Sequence, residues 1–258
     1  QSTASNSTDS DDITQQTYKP GKLTIATGQP AYEPWVMNDK PESGEGYEAA
    51  VAYAVADKLG FKKSDVVWTR TAFDTAIAPG AKDWDFNIQQ FGITDERKKA
   101  VDFSSSYYND SQSVVVKKDS KFANATKVSD LKDATVGVMV GTLAYDYAKA
   151  NIKDDIQTFN DDAALAQALD AGQIDALVTS TVECVYMVQS EQVKDSKVLG
   201  RLPDSEDKSG MGIVLPKDSK LTAAVTKAVD DLNADGTIKK LQDKWLAEYT
   251  TDLTELKK

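Results

Sequence analysis

From Lys22 onward, short apolar runs alternate with stretches whose apolar residues fall at helical spacing. KLTIATG (22–28) is an apolar run closed by a glycine and predicts a strand. Residues 47–59 repeat their apolar positions at i, i+3 and i+4 and stop at Gly60, which predicts a helix. DVVWTRT (65–71) predicts a strand, 73–78 a short helix ended by Pro79-Gly80, WDFNIQQF (84–91) a third strand, 95–100 a short helix, and SVVVKKD (113–119) another strand. The order then restarts, with strands expected at 135–141, 155–159 and 174–180 and helices at 142–150 and 161–171. A late strand is expected at 210–218, and two helices at 221–232 and 237–245 are split by Asp235-Gly236. Two successive β-α-β series predict two α/β lobes with mostly parallel sheets. Such sheets take ligands beyond the carboxyl ends of their strands, which points to a cleft between the lobes.

Composition narrows the function. With 258 residues, 40% of them hydrophobic, the chain can bury one large or two medium cores. A net charge of −11 argues against nucleic acid, whose phosphates need a basic surface. No run approaches the ~20 apolar residues that span a bilayer. Histidine is absent, which removes Ser-His and Cys-His catalysis and imidazole metal sites. The single Cys184 lies in an apolar run (182–188) and is expected to be buried and inert. Residues 1–21 are dominated by Ser, Thr, Asp, Asn and Gln and are expected to form a flexible tether.

The candidate chemistry lies in GITDERKKAVDFSSSYY (92–108). Arg97 follows a Gly92-Ile93-Thr94 turn at the end of an expected strand, where a guanidinium can grip a carboxylate by two charge-assisted hydrogen bonds. The charges alone equally fit a solvated cluster of Arg97 with Asp95, Glu96, Lys98 and Lys99. DFSSSYYND (102–110) leads from the first β-α series to the second, a candidate hinge crossing. Gly141-Thr142 opens a helix whose first amides and dipole favour an anion, and Thr142 also reads as a plain N-cap.

This stretch resembles the signature of the extracytoplasmic solute-binding proteins of polar amino-acid ABC transporters, which runs Thr-Ile-Thr-x-Glu-Arg, then Asp-Phe-Ser and paired tyrosines. AYEPWVM, GEGYEAAVAYAVADKLG, WTRTAFDTAI, VGVMVGTLAYDYA, ALAQALDAGQIDALVTS, GMGIVLPKDS and ADGTIKKLQDKW extend the resemblance over about residues 22–247 in the family's order. It implies a two-lobe periplasmic-binding-protein-like fold of class II type, with a ligand cleft between lobes joined by two crossing segments. Lobe 1 would be 22–106 plus 212–258, lobe 2 would be 112–206, and the hinge would lie near 107–111 and 207–211. The implied function is extracellular capture of an amino acid, with closure of the lobes on it, and delivery to a permease. The protein would be a monomer, outside the cytoplasm, a Gram-positive cell-surface lipoprotein rather than free periplasmic, touching membrane only through an N-terminal lipid anchor. No metal and no cofactor are implied. Rival readings are an amine-free carboxylate or amino-acid derivative as ligand, a sensory domain, and a dehydratase-like enzyme of the same fold.

By position, the resemblance implies that Arg97 and Thr142 hold the α-carboxylate, that Tyr32 and Phe73 wall the ligand, and that Gln29 probes its side chain. Trp35 would either join that wall or pack beneath its loop. Met139, Leu143 and Thr179 complete the expected ligand-binding set. Three positions depart from the pattern: Gly92 stands where threonine is usual, Gln90 where glycine is usual, and Ser180 where an aspartate binds the amine. Glu183, one helical turn on if a helix starts there, or Glu33, is expected to replace that aspartate in part.

Overall fold

A computed structural model describes residues 12–258, and the chain separates into two compact units. The first takes the chain as far as Asn109 and again from Ser209 to Leu246; the second holds Asp110–Lys208 and Ala247–Lys258.

The first unit is built on a five-stranded sheet ordered β2-β1-β3-β10-β4, with β1 at Leu23–Thr27, β2 at Val66–Arg70, β3 at Phe86–Asn87, β4 at Val101–Tyr108 and β10 at Met211–Pro216. β1 runs parallel to β2 and β3, and β10 is antiparallel to β3 and β4. Every residue of β1 is buried, as expected of a parallel strand covered on both faces. Helix α1 (Tyr47–Lys58) buries Ala49, Val51, Ala52 and Val55; α2 (Phe73–Ala76) and α3 (Asp95–Lys98) are single turns. Helices α7 (Thr222–Ala234) and α8 (Thr237–Trp245) complete the unit.

Residues 102–108 of the expected crossing 102–110 form most of β4, an eight-residue edge strand. Its serines are used internally: the Ser104 hydroxyl accepts from Ile213 N at 2.9 Å and donates to Ser105 O at 2.8 Å. Its two tyrosines are core residues, Tyr107 at 1% exposure and Tyr108 edge-on to Trp35 at 5.7 Å. The break between units falls just after it, between Asn109 and Asp110.

The tether expectation also changes. Residues 1–11 lie outside the described residues, but 12–21 are ordered on the first unit. Asp12 caps a short turn, Ile13–Gln15, and Gly21 N donates to Thr14 O at 2.7 Å. Asp85, buried at the start of β3, accepts from Tyr18 N and Thr24 N, each at 2.7 Å. Burial pushes its carboxyl up, so these two donors are what make its position tolerable.

The second sheet has the order β7-β6-β8-β5-β9, with β5 at Gln112–Lys117, β6 at Val136–Met139, β7 at Ile156–Phe159, β8 at Ala176–Ser180 and β9 at Ser196–Arg201. β6 is parallel to β7 and β8; β5 runs antiparallel to β8 and β9. Three helices follow the parallel strands: α4 (Leu143–Asn151), α5 (Asp162–Asp170) and α6 (Thr181–Gln189).

The sequence reading kept everything from 212 to 258 in lobe 1; the structure adds a third passage of the chain, after Leu246. Helix α9 (Ala247–Thr250) and the residues after it pack on the second unit, where Arg201 N donates to Thr254 O at 2.7 Å and Leu256 is 2% exposed in a core with Val114, Val136 and Leu202. Leu256→Ala should therefore cost about 2–5 kcal/mol. Amide exchange will read this as lost protection in β5, β6 and β8 while β1 and β10 keep theirs; equal loss in both sheets would contradict the assignment.

Candidate functional site

In the first unit, β1, β2 and β3 end side by side, and the loops leaving their carboxyl ends carry most of the expected residues. Gln29 follows β1 and is exposed; Tyr32, further along, is 55% exposed. This loop contains cis peptides before Pro30 and Pro34. It is fastened by a pair the sequence reading missed: Arg70 Nη1 donates to Gly28 O at 3.0 Å and to Asp39 Oδ1 at 2.5 Å, and Ala31 N donates to the same Asp39 oxygen at 2.8 Å. The Ala31 amide, then Arg70, holds the Asp39 carboxyl below its ordinary range. Trp35 is 5% exposed and lies against Tyr47, so it packs beneath the loop. Glu33 accepts from Asn38 N at 3.2 Å.

Arg97 is half-buried. Thr94 caps its one-turn helix by accepting from Arg97 N at 3.0 Å. The guanidinium lies 5.3 Å over the Phe73 ring, and Nη1 donates to Gly92 O at 2.7 Å. Phe73 is backed by Phe91 at 4.8 Å. Among the described residues Arg97 has no ion pair; burial holds the guanidinium below its ordinary pKa, and the charge of Asp74 offsets this in part. A Cβ at Gly92 would meet only Arg97 Nη1, at 3.5 Å, an ordinary contact. Gln90 is turned inward: its backbone N donates to Glu48 at 2.8 Å and its side-chain amide binds the same carboxylate. Gln90 thus supports the turn, a role that Glu48 in α1 gave no local signal for.

In the second unit the parallel strands β6, β7 and β8 end together in the same way. After β6, Thr142 caps α4, accepting from Tyr145 N at 3.2 Å and donating to Met139 O at 2.7 Å. Its hydroxyl proton is therefore used inside the chain. What the helix start offers an anion is the first-turn amides ahead of Tyr145, which have no intrahelical acceptor. Leu143 is 47% exposed beside them.

After β8, Ser180 occupies the N-cap position of α6 without making a capping bond. Asp110 caps instead, accepting from Ser111 N at 2.8 Å and Val182 N at 3.4 Å. Burial pushes its carboxyl up to about 7. Glu183 sits in the first turn of that helix, where burial, then Asp162 and Asp110, raise it to about 7. Asp162, the first residue of α5 after β7, accepts from Thr179 Oγ1 at 3.4 Å and is raised to about 6 by burial, with Asp161 adding to it. Three acids thus crowd the end of β8, two of them unforeseen from sequence: Asp110 and Asp162 read locally as turn and helix-start residues. Among the described residues no group has the makings of a metal site. Cys184 is fully buried, and burial raises its thiol well above the ordinary range.

The chain is similar to known binding proteins. The chain is 30% identical over 223 residues to the L-cystine-binding protein TcyJ of Escherichia coli (strain K12), covering 85% of this chain and 81% of that one. It is 29% identical over 245 residues to the L-arginine-binding protein of Pseudomonas aeruginosa, covering 89% and 88%. Among solved structures, an ancestral arginine-binding protein bound to arginine aligns with a TM-score of 0.65 at 31% identity, over 88% of this chain and 98% of that one, and a form bound to glutamine aligns at 0.64. The family described as bacterial extracellular solute-binding proteins, family 3, matches residues 23–248, and the chain belongs to it.

Proposed function

We propose that this protein captures an extracellular amino acid and delivers it to the permease of an ABC transporter. The observation that carries the reading is Arg97: a guanidinium partly withdrawn from water, laid on an aromatic ring and in no ion pair among the described residues. Desolvating a cation is costly unless an anion pairs with it, and a carboxylate offers the two-point match a guanidinium favours. Arg97 grips the α-carboxylate, with the amides opening α4 as further donors. Phe73 and Tyr32 supply the apolar wall.

For the amine, the acid group at the end of β8 replaces the aspartate that Ser180 lacks. Glu183 is the acceptor, and Asp162, which faces it from α5, keeps the surroundings negative. That charge suits an ordinary α-amino acid. An amine-free carboxylate would gain nothing from it. Relatives named for arginine and cystine set the first ligands to try.

A thermal-shift screen of the twenty amino acids with cystine should find at least one that stabilises the protein, by about 2.7 kcal/mol at a hundred times its Kd. Arg97→Ala should keep the fold and weaken the best amino acid by about 2–5 kcal/mol in calorimetry, with Arg97→Lys intermediate. Near wild-type affinity in a folded Arg97→Ala protein would sink the carboxylate grip.

The pH dependence has a definite sign. Glu183 is raised from 4.5 to about 7, so without ligand its contribution to stability is present below about 4.5 and is lost as pH rises through about 7. Glu183→Gln should therefore be more stable than wild type at pH 8. An ammonium ligand needs the ionised form, so wild-type affinity should fall as pH drops from 8 to 6, with proton release on binding at pH 7. Affinity flat across that range would rule Glu183 out as the acceptor.

A further inference from the structure

We propose that Glu48 is the positioning residue for the Arg97 clamp: buried under the turn, its carboxylate fixes Gln90 in the left-handed region and so sets the Gly92 carbonyl and the Phe91–Phe73 stack against which Arg97 is aimed. The inference rests on the reading of Arg97 as the carboxylate-binding group, and adds the residue that makes its geometry reproducible.

Glu48 is fully buried in the first turn of α1, and no cation pairs with it among the described residues. A buried carboxylate without a counter-ion needs donors, and it has three: the backbone N of Gln90 at 2.8 Å, the Gln90 side-chain amide, and the Tyr107 hydroxyl. Tyr107 is itself held, its carbonyl accepting from the Tyr47 hydroxyl. A glutamine at position 48 would fill the same volume but turn an N–H₂ toward one of these donors, leaving two donors face to face. A merely space-filling side chain would not need the acid.

What the three bonds fix is an uncommon backbone. Gln90 has φ of 50°, a conformation that a side chain other than glycine's adopts only when its surroundings over-determine it. The residues that follow Gln90 are tied to the start of β10: Gly212 N donates to Phe91 O at 3.0 Å and Ile93 N donates to Gly210 O at 2.9 Å. Glu48 is the tether on the other side. From this four-residue turn come both contacts that orient Arg97, the Gly92 carbonyl at 2.7 Å and, through Phe91, the Phe73 ring. Releasing Gln90 would let the turn relax about its β10 bonds, and the guanidinium would lose a defined direction while the sheet remained.

The chain has three arginines, Arg70, Arg97 and Arg201, so side-chain nitrogen NMR can follow Arg97 alone, assigned with Arg97→Lys. In ligand-free Glu48→Gln, the Arg97 guanidinium protons should exchange at least about tenfold faster than in wild type, while those of Arg70 and Arg201 stay unchanged. In parallel, L-arginine and L-glutamine are titrated against their α-carboxamides. Wild type should prefer the acid, and Glu48→Gln should lose at least about tenfold of that preference without losing carboxamide affinity in proportion. A structural role alone would lower the melting temperature and weaken acid and carboxamide alike, with Arg97 exchange as in wild type; that result overturns the proposal. If Glu48→Gln does not fold, Tyr107→Phe, which removes one of the three donors, should shift both readouts the same way by a smaller factor, and no shift there overturns it too. Failure of wild type to prefer acid over carboxamide would instead refute the Arg97 reading, and the exchange measurement would still decide Glu48.

Discussion

Parallel pairing is the constraint on which both units depend. A parallel strand must be followed by a crossover, so the chain leaves every strand of β1–β3 and of β6–β8 at the same edge of its sheet. At that edge loops begin and helix starts are exposed. Arg97, Phe73 and Gln29 share one such edge; Thr142, Asp162 and Glu183 share the other. Buried strands fix the edges, and the loops carry the chemistry.

The two edges differ in electrostatics. The first presents a cation short of partners, the second an excess of carboxyl groups whose ionisation burial resists. At the second edge Ser180 supplies only a neutral hydroxyl, and the carboxyl groups there belong to Asp110, Asp162 and Glu183.

How legible all this was depended on whether the cause was local. β1, β6 and β10 announce themselves as apolar runs because both of their faces are covered. β4 does not, since Ser104 and Asp102 find partners on β10 and α7, more than a hundred residues away: Ile213 N donates to the Ser104 hydroxyl at 2.9 Å and the Thr222 hydroxyl to Asp102 at 2.7 Å. β9, SKVLGR, is a basic edge strand and gives no apolar run. The apolar stretch 182–188 fits strand or helix equally, and Asp110 decides it by capping. Arg97 and Thr142 could be read from their motif. Glu48, Arg70 with Asp39, and Asp162 could not, because each acts across 17 to 42 residues through a contact no spacing encodes.

Leu256 has a consequence for biosynthesis. It closes the core containing Val114 and Val136, yet it is separated from them by more than a hundred residues of chain, including a return through the first unit. While the ribosome works, that core is missing a wall until Leu256 emerges. A chain that stops before Leu256 leaves that core one side chain short, so the core of the second unit is completed only after α8 of the first unit has been made.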